Sequence, residues 1–266
     1  MANQPSRYSQ IIERIFLNHH RPKLTSFDFM RDEIESVADA LRVARPKNLG
    51  DVIYSFRYRT KAPPQKILAA TPAGKEWIIR PCGPGRYRFA LVREWKLSPN
   101  PAMAQIKVPA ATPGIITKYA LSDEQALLAI LRYNRLVDIF TGVTAYSMQS
   151  HLRTAVPDLG QVETDEIYVG VDRQGTHYVL PLQAKGGSDR LSRVQIEQDL
   201  ALCAAKFPAL VCRPLAAQFV EDSLIALFEL EVDGDELRVR TERHYRLVEP
   251  QQISDEELRR YRTLAP

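Results

Sequence analysis

The residues of this chain best placed to do chemistry are Glu163, Asp165, Gln183 and Lys185. Two runs rich in β-formers, Ile167 to Val171 and His177 to Leu182, flank Arg173-Gln174-Gly175. A three-residue loop ending in glycine predicts a hairpin closed by a type I turn and a G1 bulge. With Asp172 opposite Thr176, Asp165 falls opposite Gln183 and Glu163 opposite Lys185, and the two-residue period of a strand puts all four side chains on one face. A one-residue slip would bring Glu166 to that face instead. Charges buried without partners are costly, so such a group beside an apolar hairpin calls for a ligand. Carboxylate and amide oxygens are hard donors that suit Mg²⁺, with Mn²⁺ as a substitute, and Mg²⁺ keeps waters and phosphate oxygens among its ligands. An ammonium on the same face can orient an attacking water or stabilise charge on a phosphoryl group. A solvated hairpin end is the plainer alternative for the same residues.

An acid on one strand followed on the next by Gln183-Ala184-Lys185 resembles the PD-(D/E)xK nuclease superfamily, in the Gln-x-Lys variant of the Mrr family of modified-DNA restriction endonucleases. The resemblance implies that Asp165 is the first-strand acid, Gln183 the second metal ligand, Lys185 the catalytic lysine and the Ala184 carbonyl a further ligand. Glu163 would bind a second ion or orient the water, with Glu166 as a close competitor of Asp165. It also implies that a polar residue on the following helix, Gln195 or Gln198, supports the site, that products carry 5′-phosphates, and that a double-strand cut needs a homodimer. Glutamine in place of the usual acid removes one negative charge, which leaves open a DNA-binding regulator with a degenerate nuclease fold. A repair or RNA phosphodiesterase is the other alternative.

The elements around the hairpin agree with such a core. A capping pattern at Ser122-x-x-Gln125 opens a helix through Leu127, Leu128, Leu131, Leu136, Val137 and Phe140, closed by Gly142. A short strand is expected around Ala145 to Leu152, a helix over Val194 to Phe207, and strands over Ala209 to Val220 and Leu224 to Val232. This order predicts an α+β or α/β domain over residues 121–266, restriction-endonuclease-like, with an αβββαβ core and a central mixed sheet. Residues 251–266 predict a short capping helix or a dimer contact.

The charge is uneven. Residues 1–110 hold 19 Lys and Arg against 9 Asp and Glu, whereas the remainder is acidic, so the +4 net charge conceals a first half suited to a polyanion. Tyr8, Ile11, Ile12, Ile15 and Phe16 mark one helix; Thr25-x-x-Asp28 opens a second through Leu41; a third begins at Asn48. Two β-rich runs then surround Gly83-Pro84-Gly85. Three helices and a basic hairpin over residues 1–96 resemble a winged-helix domain. That resemblance makes Asn48, Tyr54, Ser55, Arg57, Tyr58 and Arg59 candidate contacts to double-stranded DNA from the third helix, and Arg80, Arg86 and Arg88 candidate wing contacts to phosphate. Prolines at 99, 101, 109 and 113 without sustained periodicity predict a linker over residues 97–120. No apolar run is long enough to span a bilayer and the amino terminus lacks a signal-peptide core, so a cytoplasmic protein without membrane partners is expected. Cys82, Cys203 and Cys212 lack C-x-x-C spacing and are expected as reduced, structural thiols.

Overall fold

The computed structural model describes residues 6–59, 62–119, 124–186, 191–221, 223–234 and 236–263; of Arg59 it describes the backbone only. The chain is α+β and divides into two compact units. The first comprises Met1–Lys96 with Thr154–Val162 and Ser192–Gln198; the second comprises Leu97–Arg153, Glu163–Leu191 and Asp199–Pro266.

In the first unit, α1 (Arg7–His19) is capped by Ser6, whose Oγ accepts from the Ser9 N–H at 3.2 Å, and it buries Ile11, Ile12, Ile15 and Phe16. Residues 26–30, expected to open a helix, form the strand β1 (Ser26–Met30), and α2 (Glu33–Ala40) starts only after it. The cause is tertiary. Phe27 and Phe29 alternate onto one face, where their rings meet Phe89 at 5.1 and 5.4 Å, while Asp28 accepts two bonds from Arg88 directly opposite. Next come α3 (Gly50–Tyr54), a π-helical turn over Ser55–Arg59, and α4 (Gln65–Ala69). β2 (Lys75–Pro81) and β3 (Arg86–Arg93) pair antiparallel, giving a three-stranded sheet of order β1-β3-β2.

The second unit is built on an eight-stranded mixed sheet. The remaining elements, of which the end of β5, the start of β6 and the start of α8 fall in the first unit, are β4 (Gln105–Pro109), α5 (Gly114–Tyr119), α6 (Glu124–Tyr133), α7 (Leu136–Thr141), β5 (Thr144–Val156), β6 (Gly160–Val171), β7 (His177–Lys185), α8 (Arg193–Lys206), β8 (Val211–Cys212), β9 (Leu215–Glu221), β10 (Leu224–Asp233), β11 (Glu236–Val248) and α9 (Asp255–Thr263). The order is β4-β11-β10-β9-β7-β6-β5, with β8 beside β7. β6 and β7 are antiparallel, β7 and β9 are parallel, and α8 makes the crossover that a parallel pair requires. Leu127, Leu128 and Leu131 of α6 pack on Tyr168, Leu180 and Leu182.

Two departures from the expected elements have simple causes. The strand expected over residues 209–220 is split at Arg213-Pro214, between β8 and β9. Because the Ala184 N–H points to β6, the odd-numbered N–H positions of β7 point the other way, and Pro181, which has none, sits beside that gap. Residues 97–120, expected as a linker, instead contain β4, which pairs parallel with β11 from Gln105 opposite His244 to Pro109 opposite Val248. An edge strand tolerates the prolines that hid it.

Helix α9 caps this edge. Tyr261 Oη accepts from the Lys107 N–H at 2.9 Å, and Lys107 Nζ pairs with Glu257 at 2.9 Å. Bonds from the Ser254 N–H and Lys107 hold the Glu257 carboxyl down at about 2. A depressed carboxyl stabilises above its ordinary value of 4.5, and that contribution disappears as pH falls through about 2. Protection of the α9 amides, taken relative to the free-peptide exchange rate at each pH, is therefore expected to fall on acidification across this window, and Glu257→Gln should flatten the response; equal protection profiles for the two proteins would contradict the assignment.

Among the described residues no helix is long and apolar enough to cross a membrane. Cys82, Cys203 and Cys212 are free thiols.

Candidate active site

The hairpin closes as its turn residues dictate. Gly175 has φ 82°, the Gly175 N–H donates to the Asp172 carbonyl at 3.1 Å, and the Asp172 N–H donates to Thr176. Register runs from Val171 opposite His177 to Glu166 opposite Leu182, and there the paired ladder stops. One residue further, the Asp165 side chain takes the place of a backbone acceptor: its Oδ2 accepts from the Ala184 N–H at 2.9 Å. In an antiparallel strand the N–H and C=O of one residue face the same neighbour, so the Ala184 carbonyl also faces the Asp165 side.

Lys185 completes the group. Its Nζ lies 3.4 Å from Glu124 Oε1 and 4.0 Å from Asp165 Oδ2, with the side chain only 14% exposed. Burial raises the Asp165 carboxyl above its ordinary range, opposed by the Lys185 charge and the Ala184 N–H and reinforced by the nearby Glu124 carboxylate. Gln183 is fully buried and its Nε2 donates to Asp199 Oδ2 at 2.9 Å and Oδ1 at 3.2 Å. Asp199, itself 1% exposed, is pushed up to about 8 by burial, against the favourable bonds from Gln183 and Thr164.

The remaining expected members stand elsewhere. Glu163 does not meet Lys185: beyond the end of the ladder its carboxylate pairs with Arg153 at 3.0 Å and His151 at 3.4 Å, both on β5. Glu166 occupies the opposite face, fully buried, with Arg132 Nε 3.5 Å from Oε1; among the described residues no hydrogen bond of ordinary geometry reaches either of its oxygens or Tyr168 Oη. Gln195 Oε1 accepts from the Ser192 N–H at the start of α8 and Gln198 is half-buried, while the residue of α8 that bonds Gln183 is Asp199. Asp199 was legible as a carboxylate between Ile196 and Cys203, on the buried stripe of α8. Glu124 opens α6, in the capping pattern whose Ser122 lies outside the described residues.

The first unit places its candidates unevenly. Tyr54 is exposed and meets Tyr58 edge-on at 4.8 Å, with Ser55 between them on the π-helical turn. Asn48 is exposed, its Oδ1 accepting from the Gly50 N–H and its Nδ2 donating to Asp51. Arg57 does not belong with them: its Nε donates to the Ile79 carbonyl at 2.8 Å, its Nη2 is buried with no hydrogen bond of ordinary geometry among the described residues, and desolvation lowers its pKa. The wider π-helical turn carries Arg57 inward, where the expected α-helix would have left it on a flank. The Arg59 side chain lies outside the described residues. Arg80 donates two bonds to Glu197, at 2.8 and 2.6 Å. Arg88 is paired with Asp28, and Arg86, at the hairpin tip, donates to the Cys82 carbonyl.

The donors near Asp165 are oxygens of the hard kind that Mg²⁺ takes. Asp165 and Glu124 offer carboxylate oxygens, Ala184 a carbonyl and Gln183 an amide whose nitrogen is turned to Asp199. Among the described residues no three His, Cys, Asp or Glu side chains converge on one point, so protein ligands would be few and the rest water, as Mg²⁺ prefers. No family model, curated protein or solved structure matches this chain.

Proposed function

We propose that the chain is a Mg²⁺-dependent DNA endonuclease, with Mn²⁺ able to substitute, whose second unit hydrolyses phosphodiester bonds. The observation that carries this reading is the meeting of Asp165, Glu124 and Lys185 where the β6–β7 ladder ends, beside the Ala184 backbone. The strand order β5-β6-β7-β9, with β7 and β9 parallel through α8, is that of the αβββαβ core and supports the same reading.

Asp165, the Ala184 carbonyl and Gln183 would hold the cation, which when bound lowers the pKa of water and neutralises phosphate charge. Lys185 Nζ has three hydrogens and two carboxylate neighbours, so one hydrogen can hold a water or a non-bridging phosphate oxygen in line for attack. Glu124, the more exposed carboxylate, stands where its Oε1 can take the water's proton and release it to solvent. The helix and hairpin order of the first unit, with its sheet order β1-β3-β2, supports a winged helix that positions the duplex. Asn48, Tyr54 and Arg86 are exposed for it, with Ser55 and Tyr58 half-buried on the turn beside Tyr54. A homodimer would cut both strands.

Gln183 in the acid's position favours a second reading, a DNA-binding protein without cleavage. Purified protein incubated with methylated and unmethylated plasmid, in Mg²⁺, Mn²⁺ or EDTA, separates the two. Metal-dependent nicks or breaks, lost in Asp165→Asn, are expected; salt-sensitive binding without any break in any metal would favour the second reading.

A further inference from the structure

Asp199 answers a difficulty that the motif itself raises. A site that replaces its second acid by glutamine loses a charge, and it also gains an ambiguity: an amide can present either its oxygen or its NH₂ group, and NH₂ repels a cation. Nothing in the strand sequence settles which end faces Asp165. In the fold the choice is made by α8, which brings Asp199 up against the Gln183 amide in a pocket where both residues are buried.

Resting on the nuclease reading, we propose that Asp199 is a positioning residue, which holds the Gln183 nitrogen so that the carbonyl oxygen is directed to the cation that Asp165 binds. Both Asp199 oxygens lie within 3.2 Å of Gln183 Nε2, so the NH₂ end of the amide is the one turned to Asp199. The amide is planar, and fixing its nitrogen fixes its oxygen. The acid missing at position 183 stands one layer back, at position 199, as outer partners of metal ligands commonly do.

This arrangement has a consequence that a merely space-filling Asp199 would not have. Restoring an acid at position 183 alone should harm the site, because Gln183→Glu leaves two carboxyl groups at hydrogen-bond distance, where they share a proton and no amide holds the ligand oxygen toward the cation. Moving the amide to the other partner should relieve it, so the exchanged pair Gln183→Glu with Asp199→Gln should recover metal binding.

The test is Mn²⁺ binding to the full chain, followed by electron paramagnetic resonance of free Mn²⁺ and by calorimetry, with thermal melting as a folding control. Wild-type protein should bind, Asp199→Asn should stay within about threefold because its oxygen still accepts from Gln183, and Asp199→Leu should weaken binding about 10- to 100-fold, the range for lost outer partners. Gln183→Glu should weaken it comparably, and the exchanged pair should return most of the loss. Wild-type binding that Asp199→Leu leaves unchanged in a folded protein, or a Gln183→Glu protein that binds better than wild type, would overturn the role of Asp199 while leaving the nuclease reading intact. No Mn²⁺ binding by wild type would overturn both.

Discussion

Lys185→Ala is expected to lower metal-dependent cleavage by about 10²- to 10⁴-fold, equivalent to roughly 3–5 kcal/mol of transition-state stabilisation, the range for a preorganised charge in a largely enclosed site. The Lys185 ammonium sits between two carboxylates, 3.4 Å from Glu124 and 4.0 Å from Asp165. Its removal leaves those acids facing each other, and Asp165 is already raised by burial. The substitution therefore takes away the group that orients water and also makes the Asp165 carboxylate harder to keep ionised. Global folding should change little, since the lysine is at the end of β7 and outside the apolar cluster. Supercoiled plasmid nicking, scored beside gel-shift affinity and thermal melting, checks this. Cleavage at the wild-type rate by a folded Lys185→Ala protein would remove Lys185 from the mechanism.

The largest effect on stability is expected at Gly170. A methyl group there would stand 2.6 Å from Val143 Cγ1, 2.7 Å from the Thr144 carbonyl oxygen and 3.2 Å from Ala145 Cα. Two of those three atoms are backbone at the start of β5, and Gly170 is itself paired with Tyr178 across the hairpin. Neither strand can withdraw without breaking its own pairing. Gly170→Ala is expected to cost about 3 kcal/mol, the upper part of the range for overpacking, and to lower the urea midpoint accordingly. A midpoint equal to wild type would mean that β5 can shift away from β6 at small cost. The site should suffer too, because β6 carries Asp165 five residues upstream.

How far these features could be read in advance differs from element to element. The turn at Asp172-Arg173-Gln174-Gly175 carries its own geometry, so the pairing of residues 166–171 with 177–182 was legible from local residues. The point where that pairing ends was not. Whether Glu163 continues opposite Lys185 or goes with Arg153 and His151 depends on where β6 parts from β7, a property of the whole sheet. β1 was hidden for a similar reason: Thr25-x-x-Asp28 fits a helix cap, and what makes a strand of residues 26–30 is a partner 60 residues on in sequence. β4 was masked by its prolines, and β11 carries charge at Glu236, Arg238, Arg240 and Glu242, where a strand with one exposed face can hold it. Asp199 escaped notice because a buried helix stripe is read by its apolar members.

The first unit does not end where its own helices and strands end. Val194 packs with Ile78, Ala90 and Val92, and Glu197 neutralises Arg80, although both come from α8. During synthesis those partners arrive about a hundred residues after Lys96, a delay of roughly 5–20 s at ordinary rates of translation. Until then the nascent domain keeps an uncovered apolar patch on its sheet and an arginine that lacks Glu197. A gene fragment encoding residues 1–96 would reproduce that unfinished state permanently, so the domain is not a cassette that recombination or a cloning scheme could move intact by cutting after Lys96.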